Sequence, residues 1–511
     1  MSNDYQDSAK AMKGRLNEVS PSFCLAKWNM VSMHLTNGKT HSCYHPPTHD
    51  IPLEGLSENP GLLHNTPQKI EERAMMRRGE RPKGCSYCWR IEDAGHTSDR
   101  HYRSSEWWNA PDFEKITLGD RDLDASWTPA YVEVNFNQAC NFKCLYCSPH
   151  LSSAWEEEIV KHGPIQITDA RHNDIDALGR INLMPKKVAN RDNPYVEAFW
   201  KWWPDLYKNL KIFRMTGGEP LIDHNTWKVL DYVDENPNSL LELSITSNLC
   251  PPKPDIFDKF ISKVQKLEEV RVWENPERLN PDSGNHWYVA PAIKHFSLFV
   301  SCDSVGKQAE YIRTGMDYDV LKSNVTKFLH STDGTNVTFI NTFNALSVPG
   351  LRGFLEWILE LREEFAFDKQ ERKVIQPPDH NGFKHPPFIR NQAQRIWFDI
   401  PMLHSPSWLN MKILHEEPEI IEEFERCLQF MRDNVQREDY NRSLRGFKPY
   451  EIDKVQRDLD ILKAGMDPQQ KQLDMKRFAE YVDEMDRRRN TNFKETFPEL
   501  INFYDKCKNG V

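Results

Sequence analysis

Short runs of apolar, β-branched and aromatic residues recur along the middle of the chain, each separated from the next by a longer amphipathic stretch. Such runs are typical of strands that are buried on both faces of a parallel sheet. The predicted strands are Tyr131–Phe136, Lys211–Thr216, Leu241–Thr246, His295–Ser301, Asn336–Thr342 and Arg395–Ile400. The helices predicted between several of them are Tyr195–Leu210, Pro254–Leu267, Asp319–His330 and Leu351–Glu364. Alternation of strands and helices predicts an α/β fold with a parallel sheet.

The same patterning divides the 511 residues into three segments and a linker. The first segment is rich in cysteine and loop residues, the second carries the strand–helix alternation, and the third is charged and helical. Their expected limits are 1–105, 106–128 for the linker, 129–415 and 416–511. In the third segment, Asp467-Pro468 predicts the start of a helix that runs to Arg489. A packing or partner-binding role is expected for this helical extension.

Composition and charge narrow the class of protein. The formal net charge is −10 and no strongly basic segment is present, which argues against a nucleic-acid partner, because phosphate binding depends on clustered Lys and Arg. The polar N-terminus lacks the apolar core of a secretory signal, and no apolar run is long enough to span a bilayer. The eleven cysteines are clustered. In a cytoplasmic protein, which we expect here, such clusters indicate metal binding more than disulfides.

Three of the cysteines form the run Cys140-Asn-Phe-Lys-Cys144-Leu-Tyr-Cys147, directly after the first strand of the alternating segment. Soft sulfur ligands select zinc, copper(I) or iron–sulfur clusters. A structural zinc site normally takes four protein ligands, whereas three thiolates suit a four-iron cluster with one iron left open. Unrelated buried cysteines, or part of a zinc site, are the alternative interpretations of this run.

The Cys-x3-Cys-x2-Cys spacing resembles the signature of the radical S-adenosylmethionine (SAM) superfamily. One strand later the chain reads Gly217-Gly218-Glu219-Pro220, which is similar to the family motif that contacts the amino group of SAM. The resemblance implies a partial (β/α)6 barrel with its chemistry at the C-terminal ends of the strands. It also implies that a [4Fe–4S] cluster cleaves SAM reductively, and that the resulting 5′-deoxyadenosyl radical abstracts hydrogen from a substrate.

Other strand ends supply further candidate residues. The resemblance implies that Ser301 and Arg313 hold the SAM ribose or carboxylate, and a guanidinium suits a carboxylate because it binds in a bidentate manner. Asn248 and Asn344 are candidate pocket residues, although the third strand departs from the family pattern by placing Ser between Thr and Asn. Asp399, at the end of the sixth strand, is a candidate catalytic acid or base. Capping and surface roles are the alternatives for these residues.

The N-terminal segment holds a second cysteine group, formed by Cys24, Cys43, Cys85 and Cys88. The group surrounds a hairpin predicted at 30–43, which Asn37-Gly38 turns. Four thiolates can close a tetrahedral zinc site or hold a four-iron cluster. The arrangement resembles the SPASM/twitch auxiliary-cluster region of radical SAM maturases, except that it precedes the barrel and lacks the additional cysteines of a full SPASM domain. One auxiliary cluster is therefore expected, and His41 and His45 keep zinc open as the alternative.

The expected protein is a radical SAM oxidoreductase or maturase that acts on a peptide or protein side chain. Its expected cofactors are SAM, the SAM-binding cluster and a second [4Fe–4S] cluster or zinc. The family also implies an external electron donor such as flavodoxin or ferredoxin, and a reducing cytoplasm suits its oxygen-sensitive clusters. The alternatives are a radical SAM enzyme that acts on a nucleotide, RNA base or small metabolite, and a non-catalytic metal-binding interaction protein.

Overall fold

The computed structural model describes residues 3–119, 121–186, 193–274, 287–365, 372–379, 384–391, 394–436 and 445–510. The chain forms two compact units, each assembled from separate stretches of sequence. Unit 1 comprises Met1–Gln138, Asn182–Gly217 and Leu240–Leu243; unit 2 comprises Ala139–Ile181, Gly218–Ser239 and Ser244–Val511. The limits of these two units differ from those of the segments expected from the sequence. The limits of the segments stay a prediction.

Helices and strands alternate along most of the described residues. The helices are α1 (Asn3–Val19), α2 (Ala26–Asn29), α3 (Pro67–Arg77), α4 (Ser86–Asp93), α5 (Asp99–Ser105), α6 (Phe113–Leu118), α7 (Ser153–His162), α8 (Ile175–Arg180), α9 (Pro194–Asn209), α10 (His224–Glu235), α11 (Pro254–Glu268), α12 (Gly306–Ile312), α13 (Tyr318–Ser331), α14 (Leu351–Phe365), α15 (Pro418–Asp433), α16 (Pro449–Ala464), α17 (Pro468–Arg489), α18 (Phe493–Thr496) and α19 (Ile501–Asn509). The strands are β1 (Met30–His34), β2 (Lys39–His41), β3 (His49–Asp50), β4 (Tyr131–Asn135), β5 (Lys143–Cys144), β6 (Ile165–Ile167), β7 (Ala170–His172), β8 (Ile212–Thr216), β9 (Asn238–Ser247), β10 (Arg271–Glu274), β11 (Trp287–Ala290), β12 (Ile293–Ser301), β13 (Arg313–Thr314), β14 (Asn336–Ile340), β15 (Arg372–Ile375), β16 (Phe388–Asn391) and β17 (Ile396–Asp399).

Unit 1 is built on strands in the order β8–β4–β1–β2–β3, with residues 240–243 of β9 next to β8. Strand β4 pairs in parallel with β8 and with β1, while β1 and β2 form an antiparallel hairpin. Gly38 ends the hairpin turn with a φ of 71°, a left-handed conformation that favours glycine. The N-terminal hairpin thus extends the sheet beside the first strand of the alternating segment.

The main strands of unit 2 lie in the order β9–β12–β14–β17, and the pairs β12–β14 and β14–β17 are parallel. Its helices bury the apolar face that their periodicity predicts. On α11, for example, the ring of Phe260 stacks on Phe328 of α13 and packs against Phe296 of β12. Burial of each such ring contributes roughly 1.5–3 kcal/mol relative to exposure, so side-chain packing holds these helices on the sheet.

The predicted α/β class with a large parallel sheet is confirmed. The six predicted strands correspond to β4, β8, β9, β12, β14 and β17, with bounds that differ by a few residues at most. Closure of these strands into a partial barrel stays a prediction. Parallel strands leave their carboxyl ends at one edge of a sheet, and ligands bind at such edges.

Helices also fill the described part of the region after 416. Helix α17 has the predicted bounds, because the side chain of Asp467 caps it by accepting a hydrogen bond from the Gln470 backbone and Asn490 ends it in the left-handed conformation. Among the described helices, none combines the length and the apolar character that crossing a membrane requires.

Candidate functional site

The first candidate site is the loop 140–147, termed here the cysteine loop, in unit 2. Its backbone is held by side chains outside it. The indole of Trp155 donates to the Cys144 carbonyl at 2.8 Å, and Asn173 donates to the Cys147 carbonyl at 3.2 Å. Burial raises the pKa of all three thiols, that of Cys140 to about 12. A bound metal reverses this effect because coordination deprotonates a thiol.

Among the described residues, no three His, Cys, Asp or Glu side chains converge as ligands of a single metal. A zinc ion requires such convergence, with sulfurs about 2.3 Å from the metal. An iron–sulfur cluster binds each thiolate at a different iron and therefore needs thiols that lie farther apart.

Glu219 is a buried carboxylate near the cysteine loop, with 2% of its surface exposed. Its Oε1 accepts hydrogen bonds from the Leu221 backbone at 3.0 Å and the Ser247 hydroxyl at 2.7 Å, and its Oε2 accepts from the Asn248 backbone at 2.7 Å. Burial nevertheless raises the pKa of Glu219 to about 7. Because an adjacent cation favours the ionised form, this carboxylate is suited to pair with a ligand amine.

Backbone and side-chain contacts place Glu219 next to the cysteine loop. Its backbone N–H donates to the carbonyl of Ala139 at 2.6 Å, one residue before Cys140. The side chain of Asn248 donates to that of Asn141 at 2.9 Å. Asn248 therefore bridges the carboxylate and the loop, and it shapes the candidate site through both of its amide groups.

The raised pKa of Glu219 predicts a pH dependence of stability. The folded state holds the proton more tightly than the unfolded chain, so the stabilisation is complete below pH 4.5 and is lost as the pH rises to about 7. Relative to Glu219→Gln, the wild-type chain without cofactors should lose about 3 kcal/mol of unfolding free energy over this range. Urea unfolding between pH 4.5 and 8 measures the difference; a constant difference would contradict the raised pKa.

Arg313 lies against the cysteine loop, and its guanidinium forms an ion pair with Asp303. Its Nη1 is 3.6 Å from the Cys144 sulfur, Nη2 donates to Asp303 Oδ1 at 3.0 Å, and Nε lies 2.8 Å from Asp303 Oδ2. Asp303 is fully buried and also accepts hydrogen bonds from the Tyr146 hydroxyl at 2.7 Å and the Thr342 backbone at 2.8 Å. The guanidinium thus sits where it can offset negative charge on the Cys144 thiolate.

The remaining predicted residues occupy several environments. Ser301 ends β12 and is half-buried. Asn344 is buried in a turn, where its amide donates to Thr342 and accepts from Leu346. Asp399 forms an ion pair with Lys454 of α16. Their functional roles stay predictions.

The glycine motif has a steric basis. Gly217 has a φ of 125°, and a Cβ on it would lie 2.8 Å from the side-chain oxygen of Asn135 within unit 1. Pro220, which is buried, begins the short turn that follows. Any side chain at position 217 would therefore strain the backbone and clash with Asn135.

The N-terminal cysteines line one cavity in unit 1. Its walls include Cys24, Cys43, Cys85 and Cys88, and burial raises the pKa of each thiol. The structure thus brings together the four cysteines that the sequence separates by up to 64 positions. His45 and its partner Asp99 also line this cavity, while His41 contacts His34 and the Cys43 carbonyl.

Buried cations accompany these thiols. Lys27, which is 2% exposed, lines the cavity and forms an ion pair with Glu72 at 2.5 Å. Although burial lowers the pKa of Lys27, the Cys85 thiol and Glu72 outweigh it, and the pKa lies above its ordinary value. Arg100 also lines the cavity and pairs with Glu92 at 2.7 Å. These positive charges oppose the effect of burial on the pKa of Cys24 and Cys85, although burial prevails at both thiols.

Sequence reasoning missed four residues that contact the cysteine loop or its neighbours. Asp303 stands two positions after Ser301 at a strand end, and this placement could have identified it. Tyr146 lies inside the cysteine run itself. Tyr481 and Arg489, on α17, reach the loop region from the far end of the chain, and no local sequence signal indicates this contact.

Comparisons with known proteins add little to this picture. No family model and no curated protein matches the chain. A structure of Streptococcus suis SuiB bound to precursor peptide SuiA is similar at 10% identity over 65% of this chain, with a TM-score of 0.27, and this chain covers 60% of it. For SuiB bound to S-adenosylmethionine the values are 10% identity, 76% of this chain, 74% of SuiB and a TM-score of 0.29. Such TM-scores establish no common fold, so the function has to be inferred from this chain's own residues.

Proposed function

We propose that this chain is a radical SAM enzyme. The observation that carries the proposal is the position of Glu219, a buried carboxylate beside a loop of three half-buried thiols. Thiolates of Cys140, Cys144 and Cys147 would hold a [4Fe–4S] cluster and leave one iron open. When bound, this cluster supplies the electron that cleaves SAM and yields the radical that abstracts hydrogen from the substrate.

The protein's own residues prepare the site for this chemistry. The Glu219 carboxylate would bind the SAM amino group, and the three donors on its oxygens orient it. Arg313 would offset the charge of the thiolates while Asp303 fixes its guanidinium. Ser301, Asn248 and Asn344 are proposed to line the SAM pocket, and Asp399 is proposed to face the substrate as an acid or base.

The four N-terminal thiols are proposed to hold a second [4Fe–4S] cluster. All four line one cavity. Zinc is the alternative occupant, because four thiolates can also close a tetrahedral zinc site. With four protein ligands the cluster would be coordinatively closed, so its proposed role is to relay electrons or contact the substrate. The proposed substrate is a peptide or protein side chain, and the proposed reductant is a flavodoxin or ferredoxin.

The test is anaerobic reconstitution followed by counts of iron and sulfide and an assay for 5′-deoxyadenosine with SAM and dithionite. About eight irons per chain with 5′-deoxyadenosine would support both clusters. About four irons with bound zinc would support radical chemistry and make the N-terminal site a zinc site. Absence of both iron and cleavage would overturn the proposal.

The substrate class is tested separately. Candidate peptides, incubated with the reduced protein and SAM, should show mass shifts or crosslinks that require SAM. Turnover of only nucleotides or small metabolites would refute the peptide assignment without affecting the assignment of radical chemistry.

A further inference from the structure

Helix α17 contacts the cysteine loop directly. The hydroxyl of Tyr481 donates a 2.6 Å hydrogen bond to the carbonyl of Leu145, which lies between Cys144 and Cys147. Tyr481 is fully buried, so its hydroxyl has no water to replace this partner. A buried hydroxyl left without a hydrogen-bond partner destabilises the structure that buries it. The loop conformation seen here therefore depends on a side chain of this helix.

A second contact comes from the last residue of α17. Arg489 donates to Glu158 at 3.1 Å and to the Thr314 hydroxyl at 2.9 Å, and its guanidinium lies over the ring of Trp155. The Arg489 and Glu158 side chains are only 3% and 4% exposed. Glu158 also pairs with Lys143 at 2.6 Å.

These partners surround the cysteine loop. Trp155 bonds the Cys144 carbonyl, and Lys143 precedes Cys144 in strand β5, which pairs with β13. Arg489 therefore contacts Trp155 and Glu158, which support the loop, and bonds Thr314 of β13, the strand that pairs with Lys143 and Cys144.

We infer that Tyr481 and Arg489 of α17 are positioning residues for the proposed SAM-binding cluster. Tyr481 holds the loop backbone in the conformation that presents the thiolates, and Arg489 braces the loop and adds a positive charge near the cluster. The inference rests on the proposed function. It gives the C-terminal helix a part in cofactor binding, in addition to the packing role that its sequence indicates.

The first experiment replaces Tyr481 with Phe, which removes the hydroxyl and keeps the ring. Residues that hold metal ligands in place by hydrogen bonds typically contribute about 10–100-fold to metal affinity, so a chelator should strip iron from the reconstituted Tyr481→Phe variant about 10–100-fold faster than from the wild type. Tyr504→Phe is the matched control, because this tyrosine bonds Asp483 of the same helix. If Tyr481→Phe released iron at the wild-type rate, the positioning role of Tyr481 would be refuted.

The second experiment measures the reduction potential of the SAM-binding cluster by EPR-monitored titration, with the N-terminal cluster removed by Cys85→Ala. A nearby cation stabilises the reduced, more negative cluster. Arg489→Met should therefore lower the potential, and Arg489→Lys should restore it in part. Arg487→Met, at a side chain that is 61% exposed and pairs with Glu484, should leave the potential unchanged.

The outcomes separate the inference from the proposed function. A wild-type chain that takes up no cluster refutes the proposed function and, with it, the inference. A loaded wild type with unchanged potentials in Arg489→Met and unchanged iron release in Tyr481→Phe refutes the inference alone. If Tyr481→Phe fails to fold, as judged by its thermal unfolding, the potentials of the Arg489 variants decide the question.

Discussion

Replacing Cys144 with alanine is expected to abolish formation of 5′-deoxyadenosine from SAM. Cys144 is the central thiol of the cysteine loop, and its sulfur lies 3.6 Å from the Arg313 guanidinium. Loss of one of three thiolates leaves the open-iron cluster with two protein ligands, which would release it. Reconstituted Cys144→Ala should lose about four of eight irons and show only background cleavage.

Two matched variants give this prediction its controls. Cys85→Ala should also lose about four irons, yet it should still cleave SAM, because the cysteine loop is intact. Cys302→Ala changes a fully buried cysteine whose thiol donates to the Ser304 carbonyl at 3.2 Å, and it should retain both iron and activity. Equal loss of all iron in Cys144→Ala and Cys85→Ala would contradict two separate sites.

Replacing Arg362 with methionine is expected to cost about 3–5 kcal/mol of unfolding free energy. Arg362 of α14 and Glu451 of α16 form a bidentate pair at 2.7 and 2.9 Å, with side-chain exposures of 0% and 1%. The arginine also donates to the carbonyls of Gly446 and Ile396. Methionine fills similar space but leaves the Glu451 carboxylate buried without its counter-charge.

Urea unfolding of two further variants identifies the cause of this loss. Arg352→Met removes an arginine of the same helix whose ion pair with Glu356 is 39% and 47% exposed, and it should cost about 1 kcal/mol. The double variant Arg362→Met/Glu451→Met should be more stable than Arg362→Met alone, because no buried charge remains. Equal losses of unfolding free energy in Arg352→Met and Arg362→Met would show that the buried ion pair contributes no more to stability than the exposed one.

Local periodicity predicted the strands and helices well, because the apolar residues that form one face of an element recur at a regular spacing within a short stretch of sequence. The strand β8, for example, has apolar or β-branched residues at every position but Arg214, and it lies at 212–216 where 211–216 was predicted. The helix at 468–489 was predicted from its N-cap and first-turn proline. Both signals lie within a few residues of the element that they define.

Contacts between distant segments could not be predicted in the same way. Nothing near Met30 indicates that β1 pairs in parallel with β4, since the register with Tyr131 depends on tertiary packing. Arg313 was expected to bind SAM, and only the structure shows that Asp303 holds its guanidinium. The four N-terminal cysteines, grouped in the sequence by their residue type alone, line one cavity in the structure, and their role as ligands stays a prediction.

The hydrogen bond between Tyr481 and Leu145 also bears on the order of translation and cluster insertion during biosynthesis. The two residues are 336 positions apart, so at about 5–20 residues per second a ribosome needs roughly 17–67 s to supply the second after the first. For this interval the nascent chain exposes the three thiols without the side chain that sets their backbone. Cluster insertion is therefore expected after translation has passed α17, and a cell has to keep the thiols reduced until then.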